Sequence, residues 1–251
     1  MKTILITQAR VGSTRLPNKV LLKIGDHSIL SIHLARIKQA KRVDEVIVAT
    51  TDETESDLIC EIAENNGVTW NRGSLNDVLD RFYQTAKLFD PDWVVRVTSD
   101  CPLLDPELID QVIEMAIEGD YDYCSNGLVQ DFPDGQDVEV FKMSALTKAW
   151  QEAKKDSERE HVTPYIRNHS DFMGGVIFKA ADLAAPAEYN AVRMTVDEPK
   201  DFEVVKWLIN DLGADKSWLD YTKHLLENPD KLSNTYILRN EGYLKSINKE
   251  R

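Results

Sequence analysis

A cluster of cations follows the first apolar run of the sequence. Ile4, Leu5 and Ile6 form a run of the length expected for a strand that is buried on both faces. The residues that follow include three cations, a glycine, a serine and a proline, namely Arg10, Gly12, Ser13, Arg15, Pro17 and Lys19. Arginine offers a planar fork to phosphoryl oxygens, lysine offers a compact charge, and backbone N–H groups near a glycine can approach an anion closely. The stretch therefore indicates phosphate recognition, with a solvated basic loop as the alternative.

Two observations favour an anion site over a solvated loop. The whole chain is acidic, with a net charge of −13, so the cations stand out against their background. They also follow the first strand directly, where open parallel sheets place their ligand crevice. The stretch has neither the P-loop pattern nor the three glycines of a dinucleotide fingerprint.

Carboxylates follow two later apolar runs. Asp100 comes after the strand predicted over 93–97, in a turn closed by Pro102, and is a suitable ligand for Mg²⁺. Asp105 precedes Pro106 and is instead predicted to be the N-cap of the next helix. Asp197 follows the strand predicted over 191–196, and by itself it is most simply interpreted as another N-cap.

The alternation of predicted elements indicates an α/β fold. Helices are predicted over 28–40, 56–66, 75–88, 107–118 and 198–212, and strands over 4–6, 45–50, 93–97 and 121–124. This order is typical of a three-layer, doubly wound, mostly parallel sheet with helices on both faces. Residues 72–74 are predicted to be a loop. The strict alternation over 137–141 predicts a half-exposed strand, which we expect to add a small β extension.

The length and composition indicate one main domain. We expect it to cover residues 1–215, and we expect residues 216–251 to form a helical tail that packs on it, without chemistry of its own. The acidic charge argues against general nucleic-acid binding, and no apolar run is long enough to span a membrane. Cys60, Cys101 and Cys124 are widely spaced, which fits reduced thiols in a cytoplasmic protein.

The stretch Gln8-Ala9-Arg10-Val11-Gly12-Ser13-Thr14-Arg15-Leu16-Pro17-Asn18-Lys19 closely resembles the opening signature of the sugar cytidylyltransferases. This family contains the CMP-Kdo and CMP-sialate synthetases and the spore-coat polysaccharide protein F branch. The resemblance implies a Rossmann-like fold of the nucleotide-diphospho-sugar transferase type. It also implies the transfer of CMP from CTP to an acidic sugar with release of pyrophosphate, dependence on Mg²⁺, and a place in surface polysaccharide biosynthesis.

Further matches in Arg72–Tyr83, Asp100–Leu103 and Thr195–Phe202 assign roles by resemblance. Arg10 and Lys19 would hold the β- and γ-phosphates, and Asp100 and Asp197 would hold Mg²⁺; these four are the predicted catalytic residues. The predicted nucleotide-binding residues are Gln8, Ala9, Arg10, Gly12, Ser13, Arg15, Lys19, Thr51, Asp52, Arg72, Asn76 and Asp77.

The segment 126–170 contains two blocks that resemble the sugar-binding and dimer-forming part of the family. The predicted sugar-side residues are Asp137, Glu139, Arg159, His161 and Tyr165, and we expect a homodimer. For His161 we expect a raised pKa that would let it pair with a sugar acid. For Asp137 and Glu139 the alternative is the wet side of an edge strand.

Two other functions stay open from the sequence. A nucleotidyltransferase on the same fold could use a sugar phosphate or a polyol phosphate as acceptor. A nucleotide-binding regulator would bind CTP without turnover. Turnover with a phosphorylated acceptor but not with a free keto-acid sugar would indicate the first, and a CTP-induced thermal shift without pyrophosphate release would indicate the second.

Overall fold

A computed structural model describes residues 1–13 and 15–250 of the chain. Thr14 of the opening signature and Arg251 of the predicted tail lie outside the described residues. The strands and helices, in chain order, are β1 (Thr3–Gln8), β2 (Lys23–Ile24), β3 (His27–Ser28), α1 (Ile29–Ile37), β4 (Glu45–Thr51), α2 (Asp57–Asn65), β5 (Thr69–Gly73), α3 (Val78–Lys87), β6 (Trp93–Thr98), α4 (Pro106–Glu118), β7 (Tyr123–Ser125), β8 (Glu139–Lys142), α5 (Met143–Glu152), α6 (Asp156–His161), α7 (Pro164–Asn168), β9 (Ala180–Asp182), α8 (Pro199–Leu212), α9 (Trp218–Glu227) and α10 (Glu241–Lys249).

The main sheet has seven strands in the order β5-β4-β1-β6-β8-β7-β9. The pairs β5–β4, β4–β1, β1–β6 and β7–β9 are parallel, and only β8 runs antiparallel to its neighbours β6 and β7. The predicted α/β fold with a mostly parallel, doubly wound sheet is therefore confirmed. A separate two-stranded sheet of β2 and β3 follows the cationic loop.

Helices cover both faces of the sheet. One core layer joins β1, β4 and β6 to the apolar faces of α1, α2 and α4. The other joins the opposite side chains of the same strands to α3, α5 and α7. Successive side chains of a strand point to opposite faces, so these central strands are apolar throughout rather than alternating. A third cluster packs α8 and α9 beside the start of α1.

The helix starts were partly predictable from local chemistry. Ser28 caps α1 by accepting from the backbone N of Ser31, and Asp105 caps α4 by accepting from the backbone N of Glu107, as predicted. The predicted helix at 75–88 begins later, at Val78, because the Asp77 side chain caps it.

Two predicted elements were wrong, and a third was correct in place but not in exposure. Residues 72 and 73 are not in a loop, since they end strand β5. Residues 191–196 form no regular strand; a single bridge pairs Arg193 with Asp134. The strand predicted over 137–141 spans Glu139–Lys142 and is not half-exposed at an edge, because β8 lies between β6 and β7.

Residues 126–170 contribute β8 to the main sheet and α5, α6 and α7 to the layer beside it. The C-terminal residues from 216 onward contain α9 and α10, and α10 contacts α6. In the described part of the chain, none of the helices combines the length and the apolar character needed to cross a membrane.

Candidate functional site

Lys19 lies between the two predicted metal ligands. Its Nζ atom is 2.6 Å from Oδ2 of Asp100 and 2.7 Å from Oδ1 of Asp197. Arg15 of the same loop lies 3.1 Å from Oδ1 of Asp197. The segments around residues 100 and 197 therefore do fold back onto the cationic loop, as the sequence predicted.

The opposite charges of Lys19 and the two carboxylates stabilise one another. Burial lowers the pKa of Lys19, but the carboxylates of Asp100 and Asp197 outweigh it and leave that pKa above its usual value. Burial raises the pKa of Asp100, but the ammonium group of Lys19 outweighs it and leaves that pKa below its usual value. Lys19 is therefore a cation and Asp100 an anion at neutral pH.

The turn that contains Asp100 is held from both sides. The backbone N of Val196 donates to the Asp100 carbonyl at 2.7 Å, and the hydroxyl of Thr195 donates to the same oxygen at 3.2 Å. On the other side, His33 of α1 contacts the Cys101 carbonyl through Nδ1 at 2.9 Å and the Thr7 hydroxyl through Nε2 at 2.9 Å. Since a carbonyl only accepts, Nδ1 carries the proton and Nε2 accepts from Thr7.

His33 should make the free energy of unfolding depend on pH. Complete burial lowers its folded pKa from 6.5 to about 4. The stabilisation is therefore present in full above pH 6.5 and is lost as the pH falls through 4, by about 3 kcal/mol. Urea unfolding from pH 7 to pH 4 should show this loss in the wild type, measured with EDTA present.

The matched variant is His33→Gln, because glutamine can donate and accept hydrogen bonds but does not titrate. We expect a shallower loss of stability for this variant over the same pH range. Equal pH dependence in both proteins would show that His33 is not the titrating group.

Asp197 is held by a buried ionic network. Arg193 contacts Oδ2 of Asp197 at 3.1 Å and Oδ1 of the fully buried Asp201 at 2.9 Å, and it also pairs with Asp134. The backbone N of Asp197 donates to Asp201 at 3.0 Å. The N-cap of α8 is Glu198, so Asp197 does not cap this helix and its carboxylate remains with the cations.

Gly135 brings the loop containing Asp134 against this segment. Its φ is +102°, and a Cβ there would lie 2.6 Å from the backbone N of Thr195 and 2.7 Å from the Met194 carbonyl carbon. Only glycine fits both the backbone conformation and the close approach. The loop thereby places Asp134 beside Arg193.

The other predicted nucleotide-binding residues of the first half lie at one edge of the sheet. Gln8 ends β1 and Thr51 ends β4, and these strands are parallel neighbours; Ala9, Ser13 and Asp52 follow directly. Arg10 is exposed and makes no ion pair with residues 1–13 or 15–250, which leaves it available for an anion. The pKa of the nearby Arg81 is lowered to about 10, mainly by its burial and next by the positive charge of Arg10.

Gly12 has open space where a Cβ would be, so the structure itself does not require a glycine there. Arg72 bonds to the side chains of Asp57 and Cys60 on the α2 side of the sheet. Asn76 is exposed, whereas Asp77 caps α3 and pairs with Arg159 at 2.6 Å. Nucleotide contacts of these residues stay predictions.

Two predicted sugar-side acids have partners within the chain. Asp137 pairs with Arg239 of the C-terminal tail. Glu139 is not on a wet face: its side chain is 13% exposed, pairs with Arg96, and accepts from the hydroxyl groups of Tyr123 at 2.7 Å and Thr163 at 2.5 Å. Glu139 therefore joins β8 to β6, β7 and the start of α7.

The predicted raised pKa of His161 was wrong. Burial lowers its pKa to about 4, although the carboxylate of Glu160 opposes the shift. The ring packs edge-on against Tyr243 and contacts the Ser246 hydroxyl at 3.2 Å, both on α10. At neutral pH this shift favours the uncharged ring, which does not support the predicted ion pair with a sugar acid.

The remaining sugar-side candidates also contact protein groups. Arg159 contacts the Trp150 carbonyl at 3.1 Å in addition to Asp77. Tyr165 donates to Glu152, and its burial, followed by that carboxylate, raises its pKa to about 12. Sugar contacts of these two residues stay predictions.

The sequence analysis missed several residues around the centre: Asp134, Arg193, Asp201, Asn234 and Arg239. One signal was present, because Arg193, Thr195 and Asp197 alternate along an extended segment and so share a face. The tail residues follow no pattern that connects them to residues more than thirty positions away.

The donor set fits Mg²⁺. Asp100 and Asp197 contact one cation, the ammonium group of Lys19, which shows that the two carboxylates can share a positive charge. No group of three or more His, Cys, Asp or Glu side chains suited to a metal occurs in the described ranges 1–13 and 15–250. Magnesium needs only one or two carboxylates when phosphate oxygens and water complete its shell.

The chain is similar to known proteins over most of its length. The spore coat polysaccharide biosynthesis protein SpsF of Bacillus subtilis is 35% identical over 236 residues, which cover 90% of this chain and 94% of that protein. A cytidylyltransferase structure from Leptospira borgpetersenii is 34% identical with a TM-score of 0.88 and covers 95% of this chain and 100% of that chain.

A structure of CMP:2-keto-3-deoxy-manno-octonic acid synthetase complexed with CTP is 18% identical. Its TM-score is 0.62, and the alignment covers 84% of this chain and 99% of that chain, so it shows a shared fold. The family model described as cytidylyltransferase matches residues 4–244. Because that match covers nearly the whole chain, including the cationic loop and both carboxylates, the protein belongs to the cytidylyltransferase family.

Proposed function

We propose that this protein transfers CMP from CTP to a hydroxyl group of an acidic sugar and releases pyrophosphate. The observation that carries the proposal is the contact of Lys19 with both Asp100 and Asp197 at the end of a parallel sheet. Such an edge is where α/β proteins bind nucleotides. The membership of the cytidylyltransferase family supports CTP as the nucleotide.

The chain's own residues would act mainly by positioning and by neutralising charge. Arg10 and Lys19 hold the β- and γ-phosphates, and a bound triphosphate offers Lys19 phosphate oxygens in place of its two carboxylates. The acceptor oxygen forms a bond to the α-phosphorus, the bond from that phosphorus to the bridging oxygen breaks, pyrophosphate leaves, and the hydroxyl proton passes to water. Asp100 and Asp197 would hold Mg²⁺, which when bound neutralises phosphate charge and acidifies the attacking hydroxyl.

The name of one structural neighbour, the CMP:2-keto-3-deoxy-manno-octonic acid synthetase, supports an acidic sugar as acceptor. The name of SpsF, a spore coat polysaccharide biosynthesis protein, supports a role in polysaccharide biosynthesis. We also propose a homodimer in the cytoplasm, which size-exclusion chromatography with light scattering and cell fractionation would test.

The deciding experiment measures pyrophosphate release with CTP, Mg²⁺ and a panel of acceptors. The panel contains 2-keto-3-deoxy sugar acids, sugar phosphates and polyol phosphates. We expect turnover with a sugar acid. Turnover only with a phosphorylated acceptor would show that the acceptor is a sugar or polyol phosphate and not an acidic sugar. A CTP-induced rise in melting temperature without any pyrophosphate release would indicate a nucleotide-binding regulator.

Asp100→Asn and Asp197→Asn should each raise the Mg²⁺ concentration needed for half-maximal pyrophosphate release, by about tenfold or more, because each variant removes one anionic oxygen ligand. The measurement is a Mg²⁺ titration at saturating CTP. Asp26→Asn is the matched control, since Asp26 is exposed in the turn between β2 and β3, outside the carboxylate pair and the predicted nucleotide-binding residues. Unchanged titrations for both ligand variants would remove these residues from the metal site.

A further inference from the structure

The C-terminal tail reaches the catalytic centre at a buried point. Asn234 is fully buried, and its Nδ2 atom donates to the Arg193 carbonyl at 3.2 Å and to Oδ1 of Asp201 at 2.9 Å. Both partners only accept, so the orientation of the amide is determined by its surroundings. Asn234 thus contacts the two residues that hold Asp197.

Asp201 transmits this contact to the candidate metal ligand. Its carboxylate is fully buried and accepts from the backbone N atoms of Asp197 and Glu198, each at 3.0 Å. These two bonds determine where the backbone of Asp197 lies. The direction of the Asp201 carboxylate depends on its own donors, which are the guanidinium group of Arg193 and the amide of Asn234.

A second tail residue is joined to the same network. Arg239 donates to the Phe132 carbonyl at 2.9 Å and pairs with Asp137, and its Nε atom lies 3.9 Å from Asp134. Asp134 in turn pairs with Arg193. The tail therefore contacts the network from two sides, once through Asp201 and once through Asp134.

The amide of Asn234 has a cost that apolar packing would not have. Its Oδ1 atom is buried and has no hydrogen-bond partner among residues 1–13 and 15–250. An unpaired buried acceptor is unfavourable, and an apolar side chain of similar size would avoid it. We therefore infer that the amide donors of Asn234 serve to orient the carboxylate of Asp201.

We propose that residues 232–240, which we name the tail strap, are part of the catalytic centre, and that Asn234 is a positioning residue for Asp197. Asn234 acts through Asp201 and does not touch the substrates. This inference rests on the proposed function for the role of Asp197, but it assigns a role to a segment in which the sequence showed no chemistry.

The test compares Asn234→Ala and Asn234→Ser with wild type, using Glu250→Ala as the matched control. Glu250 accepts a hydrogen bond from the backbone N of Ser157 at 2.5 Å and does not contact Asp201, so we expect Glu250→Ala to loosen the docking of the tail without changing Asp201. Manganese binding is measured by electron paramagnetic resonance with CTP present, and the Mg²⁺ dependence of pyrophosphate release is measured separately. Melting temperatures are recorded for all four proteins.

We expect the Mn²⁺ dissociation constant and the Mg²⁺ activation constant to rise about tenfold in Asn234→Ala, as is usual when a group behind a metal ligand is removed. Asn234→Ser retains a shorter donor, so its two constants should lie between those of wild type and those of Asn234→Ala. The constants of Glu250→Ala should stay within twofold of wild type. A lower melting temperature with unchanged Mn²⁺ affinity would show that Asn234 is structural only. If the alanine variant does not fold, wild-type Mn²⁺ affinity in the serine variant would overturn the proposal.

The wild type separates this inference from the proposed function. If the wild type binds Mn²⁺ with CTP but releases no pyrophosphate with any acceptor, the proposed function fails, and the Mn²⁺ comparison still decides the role of Asn234. If the wild type does not bind Mn²⁺ with CTP, both proposals are overturned.

Discussion

Lys19→Ala should lower the rate of pyrophosphate release by a factor of about 10²–10³, which is typical for the loss of one positioned charge that acts on the transition state. Lys19 is the cation that contacts both Asp100 and Asp197. In the alanine variant, no ammonium group is present that could leave the two carboxylates and contact the leaving pyrophosphate. The measurement is a coupled pyrophosphate assay at saturating CTP, Mg²⁺ and acceptor.

Lys23→Ala is the matched control, because Lys23 is exposed on the short β2–β3 sheet only four residues away. It should retain the wild-type rate within about twofold. Lys19→Arg tests geometry, since its guanidinium group keeps the charge but not the compact shape of the ammonium group. A rate for Lys19→Ala close to that of Lys23→Ala would remove Lys19 from the reaction.

Arg193→Met should lower the free energy of unfolding by about 3–5 kcal/mol, which is the usual effect of leaving a buried charge without its partner. The variant removes the guanidinium group that contacts Asp134, Asp197 and Asp201, and the side chain of Asp201 is fully buried. Urea unfolding at pH 7.5 with EDTA present gives the value without a contribution from bound metal.

The same substitution at an exposed ion pair provides the control. Arg42 pairs with Glu114, and both side chains are 44% exposed, so Arg42→Met should change the unfolding free energy by less than about 1 kcal/mol. The stability loss of Arg193→Lys should lie between those of Arg193→Met and Arg42→Met, because lysine keeps the charge but cannot contact three carboxylates at once. Equal stability losses for Arg193→Met and Arg42→Met would show that the network around Asp201 does not stabilise the fold.

Taken together, the two predictions separate the roles of neighbouring cations. Lys19 is 15% exposed at the edge of the sheet, where phosphate oxygens and a metal ion could take the places of its ion-pair partners, so its loss should affect the rate more than the stability. Arg193 is 6% exposed and pairs with Asp201, which is fully buried, so its loss should affect the stability first. One carboxylate, Asp197, contacts both cations and connects the candidate site to the core.

The C-terminal tail changes the interpretation of the sugar side. Tyr243 and Ser246 of α10 cover His161, Arg239 pairs with Asp137, and Glu241 lies 3.3 Å from Arg15 of the cationic loop. A segment that was expected only to pack on the domain therefore contacts both predicted substrate-binding regions. Truncation of the chain before residue 232 would remove all of these contacts at once.

The sequence by itself determined the sheet and the position of its functional edge. The apolar runs at 4–6, 45–50 and 93–97 predicted buried parallel strands, and the polar groups that follow strands of one direction must meet at one edge. Local capping chemistry likewise determined the starts of α1 and α4, at Ser28 and Asp105. For the same reason the approach of Asp100 to Lys19 could be predicted without coordinates.

Only the tertiary structure decided the surroundings of Asp197, Glu139 and His161. The segment 191–197 has no regular strand partner, and although the alternation of Arg193 and Asp197 places them on one face, no local pattern marked the contacts of Arg193 with Asp134 and Asp201. The pKa of His161 depends on burial under α10, which its own sequence neighbours do not show, and the acids beside it suggested the opposite direction. Contacts between residues far apart in the chain, such as Asn234 with Asp201, follow from packing and leave no local pattern.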